Sequence, residues 1–239
     1  CTRCAISMIE DEEGFRYPQI DATKCVSCGE CYNVCPYGQV PLQKHAWETI
    51  FGGYHTDPKV RQASTSGGAF AAIVDSWCTG KYAVFGASAV GLEVHHTYII
   101  EKGELSRLQK SKYSQSIIGR SYADAKTFLA EGKKVLFCGT PCQIAGLESY
   151  LTGIDKTNLL TVEVVCEGVP SPLFIRKLDD YMKLRYGSRI RTLDYRNKDK
   201  PKWDFLVMKI TLENGRTMYV DGCFNPFFIL WFKKLMSRP

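Results

Sequence analysis

The sequence predicts an α/β protein (α+β overall) in which a small cysteine-rich unit precedes a larger α/β domain. Six of the eleven cysteines fall within the first 35 residues, in spacings typical of metal ligands. After residue 61, short strand-like runs alternate with runs of helical periodicity, which is typical of a mainly parallel sheet. We therefore divide the 239 residues into a cysteine-rich unit (1–40), a linker (41–60) and an α/β domain (61–239).

Each element has a local signal. The run GFRYPQID (14–21) predicts a hairpin, and STSGGAFAAIVDSWCTG (64–80) predicts a helix with Ser or Thr at its N-cap. Two later helices open with Pro in the first turn, where a missing N–H costs nothing, and ENG at 213–215 signals a hairpin. Strands are expected at 82–90, 95–100, 134–139, 158–166, 189–195, 204–212 and 216–220, and the other helices at 121–132, 140–151, 171–186 and 225–236.

Composition favours a folded, soluble protein. Apolar residues make up 45% of the chain, which allows a buried core. The longest apolar run, FFILWF at 227–232, is much shorter than the roughly 20 residues that span a bilayer, and no secretory signal opens the chain. We expect a cytoplasmic protein with no membrane span. A start at Cys1 without Met and a stop at SRP suggest a fragment truncated at both ends.

Charge is distributed unevenly along the chain. Residues 1–50 hold 4 Lys/Arg and 7 Asp/Glu, a net charge of −3, whereas residues 176–239 hold 15 and 7, a net charge of +8. No RNA-binding signature accompanies the basic half, so we expect no nucleic-acid partner. The acidic and basic parts could contact each other, or two different partners.

The strongest motif is KCVSCGECYNVCPYG at 24–38. Its C-x2-C-x2-C-x3-C-P spacing is that of a bacterial 4Fe–4S ligand loop, with Cys25, Cys28, Cys31 and Cys35 as thiolate ligands. A unit of about 40 residues cannot build a sufficient apolar core alone, so bound metal should supply much of its folding energy. Structural zinc is the alternative, but zinc rarely uses this four-cysteine run with Pro.

In two-cluster ferredoxins the fourth cysteine of such a run serves the other cluster. The chain opens with CTRCAI, which resembles the end of a companion loop with Thr2 in place of Pro. We therefore expect Cys1 to complete the cluster of Cys25, Cys28 and Cys31, and Cys35 to serve a second cluster. A single cluster that uses Cys35 itself, or Cys4 in place of Cys1, remains an alternative.

Two further cysteines follow predicted strands of the α/β domain, in FCGTPCQIAG (137–146) and VVCEGVPSP (164–172). The carboxyl ends of parallel strands face one crevice, so Cys142 and Cys166 should converge there. Two thiolates cannot hold a cluster alone, and a Cys138–Cys142 redox pair or plain buried cysteines remain alternatives. Cys78, Cys138 and Cys223 are expected to be small buried side chains.

Other polar motifs give weaker signals. The small residues of STSGGAF (64–70) allow close approach of a phosphate at a helix start, or form a plain N-cap. The run KSKYS (110–114) offers a phosphate or ring contact through Lys112 and Tyr113. The four histidines lack metal-ligand spacing, and adjacent His95 and His96 should point to opposite faces of a strand.

Taken together, these motifs identify a family. The chain resembles the beta subunit of coenzyme F-420-reducing hydrogenases and the wider F-420 hydrogenase/dehydrogenase beta-subunit family, with a fused 4Fe–4S ferredoxin-like unit. The resemblance rests on STSGGAF, KSKYSQS, GTPCQIAGL and VVCEGVPSP. It implies an α/β flavin-binding domain with a further 4Fe–4S cluster at Cys142 and Cys166. It also implies FAD contacts from Thr65, Ser66, Gly67, Gly68, Lys112, Tyr113, Gly139, Thr140 and Pro141.

The expected function is electron transfer between 4Fe–4S clusters and FAD, with a redox partner protein and an undetermined substrate or deazaflavin coenzyme. No catalytic acid or base is identified. A non-catalytic ferredoxin-type carrier with an α/β docking module is the main alternative, and a nucleotide-binding enzyme with Cys142 as nucleophile is another.

Overall fold

The computed structural model describes residues 1–36, 49–199 and 206–238. The cysteine-rich unit contains a hairpin, formed by antiparallel β1 (Ile6–Glu10) and β2 (Arg16–Ile20). It is longer than predicted, because the run 14–21 supplies only its second strand and the end of its turn. The only helix in residues 1–36 is α1 (Glu30–Asn33), a single turn inside the cysteine run. The predicted linker is described from residue 49, and its last residues begin α2 (Pro58–Ala63).

The cysteine-rich unit has almost no core of its own. Among residues 1–36, the buried positions are Ala5, Gly14 and Phe15. So little buried apolar surface cannot offset the conformational entropy of ordering the chain. Stability of this unit must therefore come from its contacts with the α/β domain and from bound metal.

A four-stranded sheet in the order β4–β3–β5–β6 forms the centre of the α/β domain. Strands β3, β5 and β6 are parallel, as predicted, whereas β4 is antiparallel to β3. The sheet is therefore mixed, because β3 and β4 are joined by only Gly91 and Leu92, too short a connection for a crossover. The elements are α3 (Ala69–Trp77), β3 (Tyr82–Val90), β4 (Glu93–Ile99), α4 (Ser121–Ala130), β5 (Lys134–Gly139), α5 (Pro141–Tyr150) and β6 (Leu159–Glu163).

Helices cover both faces of this sheet. Phe85 and Phe137 point to the side of α4 and α5, where they pack with Leu147. Val84 and Leu136 point to the other side, where they pack with residues of α3. Neighbouring strand residues therefore serve opposite layers, as the period of two requires.

A second, antiparallel sheet carries a separate core at the C-terminal side. Its order is β10–β9–β8, and it packs with α6 and α7 around buried Met208, Phe227 and Phe228. The last helix is shorter than predicted, and the chain continues into β11, which pairs with β7. The elements are β7 (Val169–Pro170), α6 (Pro172–Tyr186), β8 (Ile190–Asp194), β9 (Met208–Leu212), β10 (Thr217–Val220), α7 (Pro226–Phe232) and β11 (Ser237–Arg238).

The acidic and basic parts of the chain contact each other. Arg176 pairs with Glu10 at 2.9 Å, and Arg238 pairs with Asp11 and Glu13 at 2.9 and 2.8 Å. The expectation that the two parts contact each other is confirmed, whereas contact with partner proteins stays a prediction. In the ranges 1–36, 49–199 and 206–238, we find no helix both long and apolar enough to cross a membrane.

Candidate functional site

The central sheet opens at the carboxyl ends of β3 and β5. Their pairing stops at Phe85 and Phe137, although β3 continues to pair with β4 and β5 with β6. Such a divergence of neighbouring parallel strands is where α/β folds bind ligands. A cavity of about 1210 Å³ lies there, which exceeds the roughly 300–1,000 Å³ of common small-molecule sites.

The cavity gathers most of the residues that the sequence motifs single out. Cys142 and Cys166, from two different strand ends, both line it, and so does Cys138. Pro141 does not; it occupies the first position of α5. The remaining candidates for cofactor contact all lie on the wall: Thr65, Ser66, Gly67, Gly68, Lys112, Tyr113, Gly139 and Thr140.

The start of α3 differs from the prediction in its capping residue. Gly68, with φ +89°, is the N-cap, rather than a Ser or Thr. Glycine adopts this left-handed conformation without a Cβ penalty. The hydroxyls have other partners: Ser64 Oγ donates to the carbonyl of Val60 at 2.8 Å, and Thr65 Oγ1 accepts from the N–H of Ser111 at 2.8 Å. Thr65 thereby ties the helix start to the KSKYS segment.

Lys112 is a half-buried cation on the cavity wall. Its Nζ donates to the carbonyl oxygens of Gln109 at 2.5 Å and Arg107 at 3.5 Å. Within the described residues it forms no ion pair with a carboxylate. Burial lowers the pKa of Lys112 to about 8, opposed by Cys138 and assisted by the like charge of Lys110. An ammonium without a counter-ion at a cavity suits an anionic ligand.

A hydrogen-bonded chain of uncharged side chains supports the turn after β5. His96 Nε2 donates to the carbonyl of Cys138 at 2.9 Å, and its Nδ1 accepts from Ser116 Oγ at 2.8 Å. Ser116 accepts from Gln143 Nε2 at 2.8 Å, and Gln143 Oε1 accepts from the N–H of Thr140 at 3.0 Å. A carbonyl can only accept, so Nε2 of His96 carries a proton. Burial lowers the pKa of His96 and so favours the neutral form, in which Nδ1 is the acceptor.

Sequence reasoning did not single out His96. The expectation that His95 and His96 face opposite ways is confirmed, because His96 is buried and His95 is half-buried with an exposed contact to Glu93. A buried polar residue near the end of a central strand pair is the signal that could have marked it.

Replacing His96 by Phe should destabilise the protein. The change removes the partner that His96 gives to the carbonyl of Cys138 and to the hydroxyl of Ser116, which keeps only its bond from Gln143. A buried polar group that loses its partner costs about 1–3 kcal/mol. Urea unfolding would measure this loss. His95→Phe is the matched control and should stay within about 0.5 kcal/mol of the parent; equal effects of the two changes would contradict the supporting role of His96.

The cysteines outside the ligand motifs behave differently from one another. Cys78 is buried, as predicted, and burial raises the pKa of its thiol. Cys138 is half-buried, and burial raises its pKa to about 11. The prediction for Cys223 is wrong: it is exposed, because Asp221 accepts from its backbone N–H and caps a short surface turn at Gly222–Phe224.

The six cysteines of residues 1–35 are all exposed. Free cysteine is usually among the most buried residues, so this exposure fits thiolates that have a ligand role. Left-handed conformations at Ser27 (φ +52°) and Gly29 (φ +74°) turn the loop on both sides of Cys28. In the part of the chain that the structure describes, no three His, Cys, Asp or Glu side chains are already gathered as a metal site. The ligand set therefore stays a prediction, supported by its donor chemistry.

Comparison with known proteins gives two family matches. Residues 132–224 match the family described as the C-terminal part of the beta subunit of coenzyme F420 hydrogenase/dehydrogenase, and residues 17–41 match a 4Fe–4S binding domain. Among solved structures, a chain of the xenon-derivatised F420-reducing NiFe hydrogenase complex from Methanosarcina barkeri is similar, with a TM-score of 0.49 and 14% identity. The similarity covers 78% of the present chain and 62% of that chain. No curated protein is matched in sequence. The two family matches show that residues 132–224 are similar to the C-terminal part of coenzyme F420 hydrogenase/dehydrogenase beta subunits and that residues 17–41 are a 4Fe–4S binding domain.

Proposed function

We propose that this chain is an iron–sulfur flavoprotein that passes electrons between 4Fe–4S clusters and FAD. The observation that carries the proposal is the cavity of about 1210 Å³ between β3 and β5. The helix start at residues 65–68, the half-buried Lys112 and two ligand-type cysteines share its wall. Together these features suit a redox cofactor in the strand-end crevice.

The residues present fit a flavin dinucleotide. The backbone at Ser66, Gly67 and Gly68 has little side-chain bulk, and the N-terminus of α3 favours a phosphate. Lys112 and Arg196 add positive charge to the same wall. Bound flavin would exchange hydride with one partner and single electrons with another. The protein would bind and orient this group, with the His96 chain holding the Cys138–Thr140 turn against it.

The thiolates would hold the clusters. Cys25, Cys28 and Cys31 with Cys1 are the proposed ligands of one cluster in the cysteine-rich unit, and Cys35 belongs to a second. Cys142 and Cys166 would provide two ligands of a cluster at the cavity, which needs two further thiolates. Arg238 of β11 pairs with Val169 of β7, which lies three residues after Cys166. Thiolates close to Arg238 would therefore be well placed to share a cluster with Cys166.

Binding of FAD should depend on pH through Lys112. The ammonium is charged below its pKa of about 8, and an anionic ligand binds the charged form. We expect a constant affinity at lower pH and a progressive loss as pH rises above about 8. Titrations of FAD between pH 6.5 and 9.5 test this, with Lys112→Arg as the control, because a guanidinium stays charged over the whole range. A decline of the same steepness in the arginine variant would contradict the assignment.

The function itself is tested by anaerobic reduction of the full-length protein. Candidate hydride donors, including nicotinamide and deazaflavin coenzymes, would be mixed with the protein while flavin and cluster absorbance are followed. We expect one donor to reduce the flavin, and the clusters to bleach afterwards at one electron each. Clusters that exchange electrons with a partner protein in the absence of any flavin would instead favour the electron-carrier alternative.

The nucleophile alternative has its own test. If Cys142 ligates a cluster, an iodoacetamide probe should leave it unlabelled in the cluster-loaded protein and label it after the metal is removed. Stoichiometric labelling of Cys142 in the loaded protein would favour a catalytic thiol.

A further inference from the structure

Arg238 joins the cysteine-rich unit to the α/β domain. Its guanidinium lies over the rings of Phe15 and Tyr17, at 4.5 and 5.0 Å from their centroids. The same group donates from Nη2 to Asp11 at 2.9 Å and to Glu13 at 2.8 Å. All four partners belong to the β1–β2 hairpin or its turn. One side chain thus combines two ion pairs with two cation–π contacts.

The hairpin turn also fits closely against the start of α6. A Cβ on Gly14 would come within 2.8 Å of both the backbone nitrogen of Leu173 and a guanidinium nitrogen of Arg176, and Gly14 has φ +82°. Ser171 Oγ donates to the carbonyl of Glu13 at 2.6 Å. The turn therefore meets α6 at a distance that only glycine permits.

A second arginine, Arg176, binds the end of β1. Arg176 on α6 donates to both carboxylate oxygens of Glu10, at 3.3 and 2.9 Å. Exposed ion pairs contribute little one at a time, but bidentate geometry and networks make them effective. Together, Arg176 and Arg238 form a network over the whole turn of the hairpin.

The same contact reaches the segment that carries Cys166. Arg238 belongs to β11, which pairs with β7 at Val169 and Pro170. Ser171, the next residue, is bound both to Glu13 through its hydroxyl and to the carbonyl of Met236 through its N–H at 2.8 Å. Ser171 and Arg238 therefore bind both the cysteine-rich unit and the segment that carries Cys166.

We propose that Arg176 and Arg238 form a latch that positions the 4Fe–4S unit beside the Cys166 segment for electron transfer to the cavity. The transfer role rests on the proposed function, whereas the latch rests on the contacts alone. The cysteine-rich unit buries so few residues of its own that its orientation depends on this surface. Because the latch consists largely of charges near solvent, raising the ionic strength should loosen it.

The test uses the full-length, cluster-loaded protein and the double variant Arg176→Gln/Arg238→Gln. Hydrogen exchange of residues 6–20 and 166–171 measures whether the latch holds the hairpin in place. Its role in electron transfer is measured by the rate at which rapidly reduced clusters pass electrons to flavin, over a range of ionic strength. The control is Arg216→Gln, which removes an arginine lying 4.5 Å over the ring of Tyr186 within the α/β domain.

We expect exchange of the hairpin to rise about tenfold in the double variant, which corresponds to about 1.4 kcal/mol. Electron transfer should slow and lose its dependence on ionic strength, with iron and flavin per chain unchanged. The double lysine variant, Arg176→Lys/Arg238→Lys, should recover part of the electron-transfer rate. It keeps both positive charges but loses the planar guanidinium groups, their bidentate hydrogen bonds and their stacking on aromatic rings. Arg216→Gln should match the parent.

Two results would overturn the proposal. Unchanged exchange in the double variant would show that the latch does not hold the hairpin. Faster exchange with an unchanged transfer rate would show that the latch does not position the clusters. A full-length protein without flavin would instead refute the proposed function and with it the transfer role, while the exchange result would still decide whether the latch exists.

Discussion

Replacement of Cys28 by Ala should remove about four irons per chain, the content of one cubane cluster. Cys28 lies at the middle of the ligand run, between Ser27 and Gly29, which both adopt the left-handed conformation. We expect that three thiolates on an exposed loop will not retain the cluster through purification, so the whole cluster should be lost. Iron and acid-labile sulfide assays on the anaerobically purified protein would measure the change.

Loss of this cluster should also unfold the cysteine-rich unit. Residues 1–36 bury only Ala5, Gly14 and Phe15, so binding of metal and folding should be coupled. Limited proteolysis should then cut residues 1–36 while the α/β domain, with its own cores, stays intact. Cys223→Ala is the control, because Cys223 is exposed but lies outside every ligand motif. Equal iron contents in the two variants would contradict the ligand assignment.

Replacement of Lys112 by Met should weaken FAD binding by about tenfold to a hundredfold, the usual range for a hydrogen bond to a charged group. Methionine retains most of the apolar stem but removes the charge that burial has left without a carboxylate partner among the described residues. Fluorescence titration of the metal-loaded protein with FAD and with ADP would give the two affinities.

The control for this change is another lysine of the same domain. Lys102 is more exposed and forms an ion pair with Asp75 at 3.6 Å, away from the cavity wall. Lys102→Met should therefore bind FAD like the parent. If Lys112→Met also binds FAD and ADP with the parent's affinities, Lys112 does not face an anionic part of the cofactor.

Much of the fold follows from local sequence. The alternation of strands and helices between residues 69 and 186 predicted the central sheet and its helices, because hydrophobic periodicity and Pro or Gly boundaries are local signals. The antiparallel direction of β4 was not predicted. It follows from the two-residue connection at Gly91 and Leu92, whereas the alternation of strands and helices indicates only a mainly parallel sheet. The N-cap at Gly68 was not predicted, because the hydroxyl of Ser64 binds the nearby carbonyl of Val60 and that of Thr65 binds the distant N–H of Ser111.

The candidate site was predictable to the extent that motifs mark strand ends. The convergence of Cys142 and Cys166 on one cavity follows from parallel topology, as does the place of Gly139. The His96 chain was not predictable, because three of its four hydrogen bonds join residues 20 to 42 positions apart. The arginine latch was indicated only by the opposite charges of the two ends, since its partners are separated by up to 227 positions in sequence.

Iron, acid-labile sulfide and flavin per chain, measured on the full-length protein purified without oxygen, test the central claim most directly. We predict about twelve irons and one FAD, from three cubanes that exchange electrons with one flavin. About eight irons and no flavin would contradict the account. Cys142 and Cys166 would then be structural residues, and the chain would be an electron carrier with an α/β docking module.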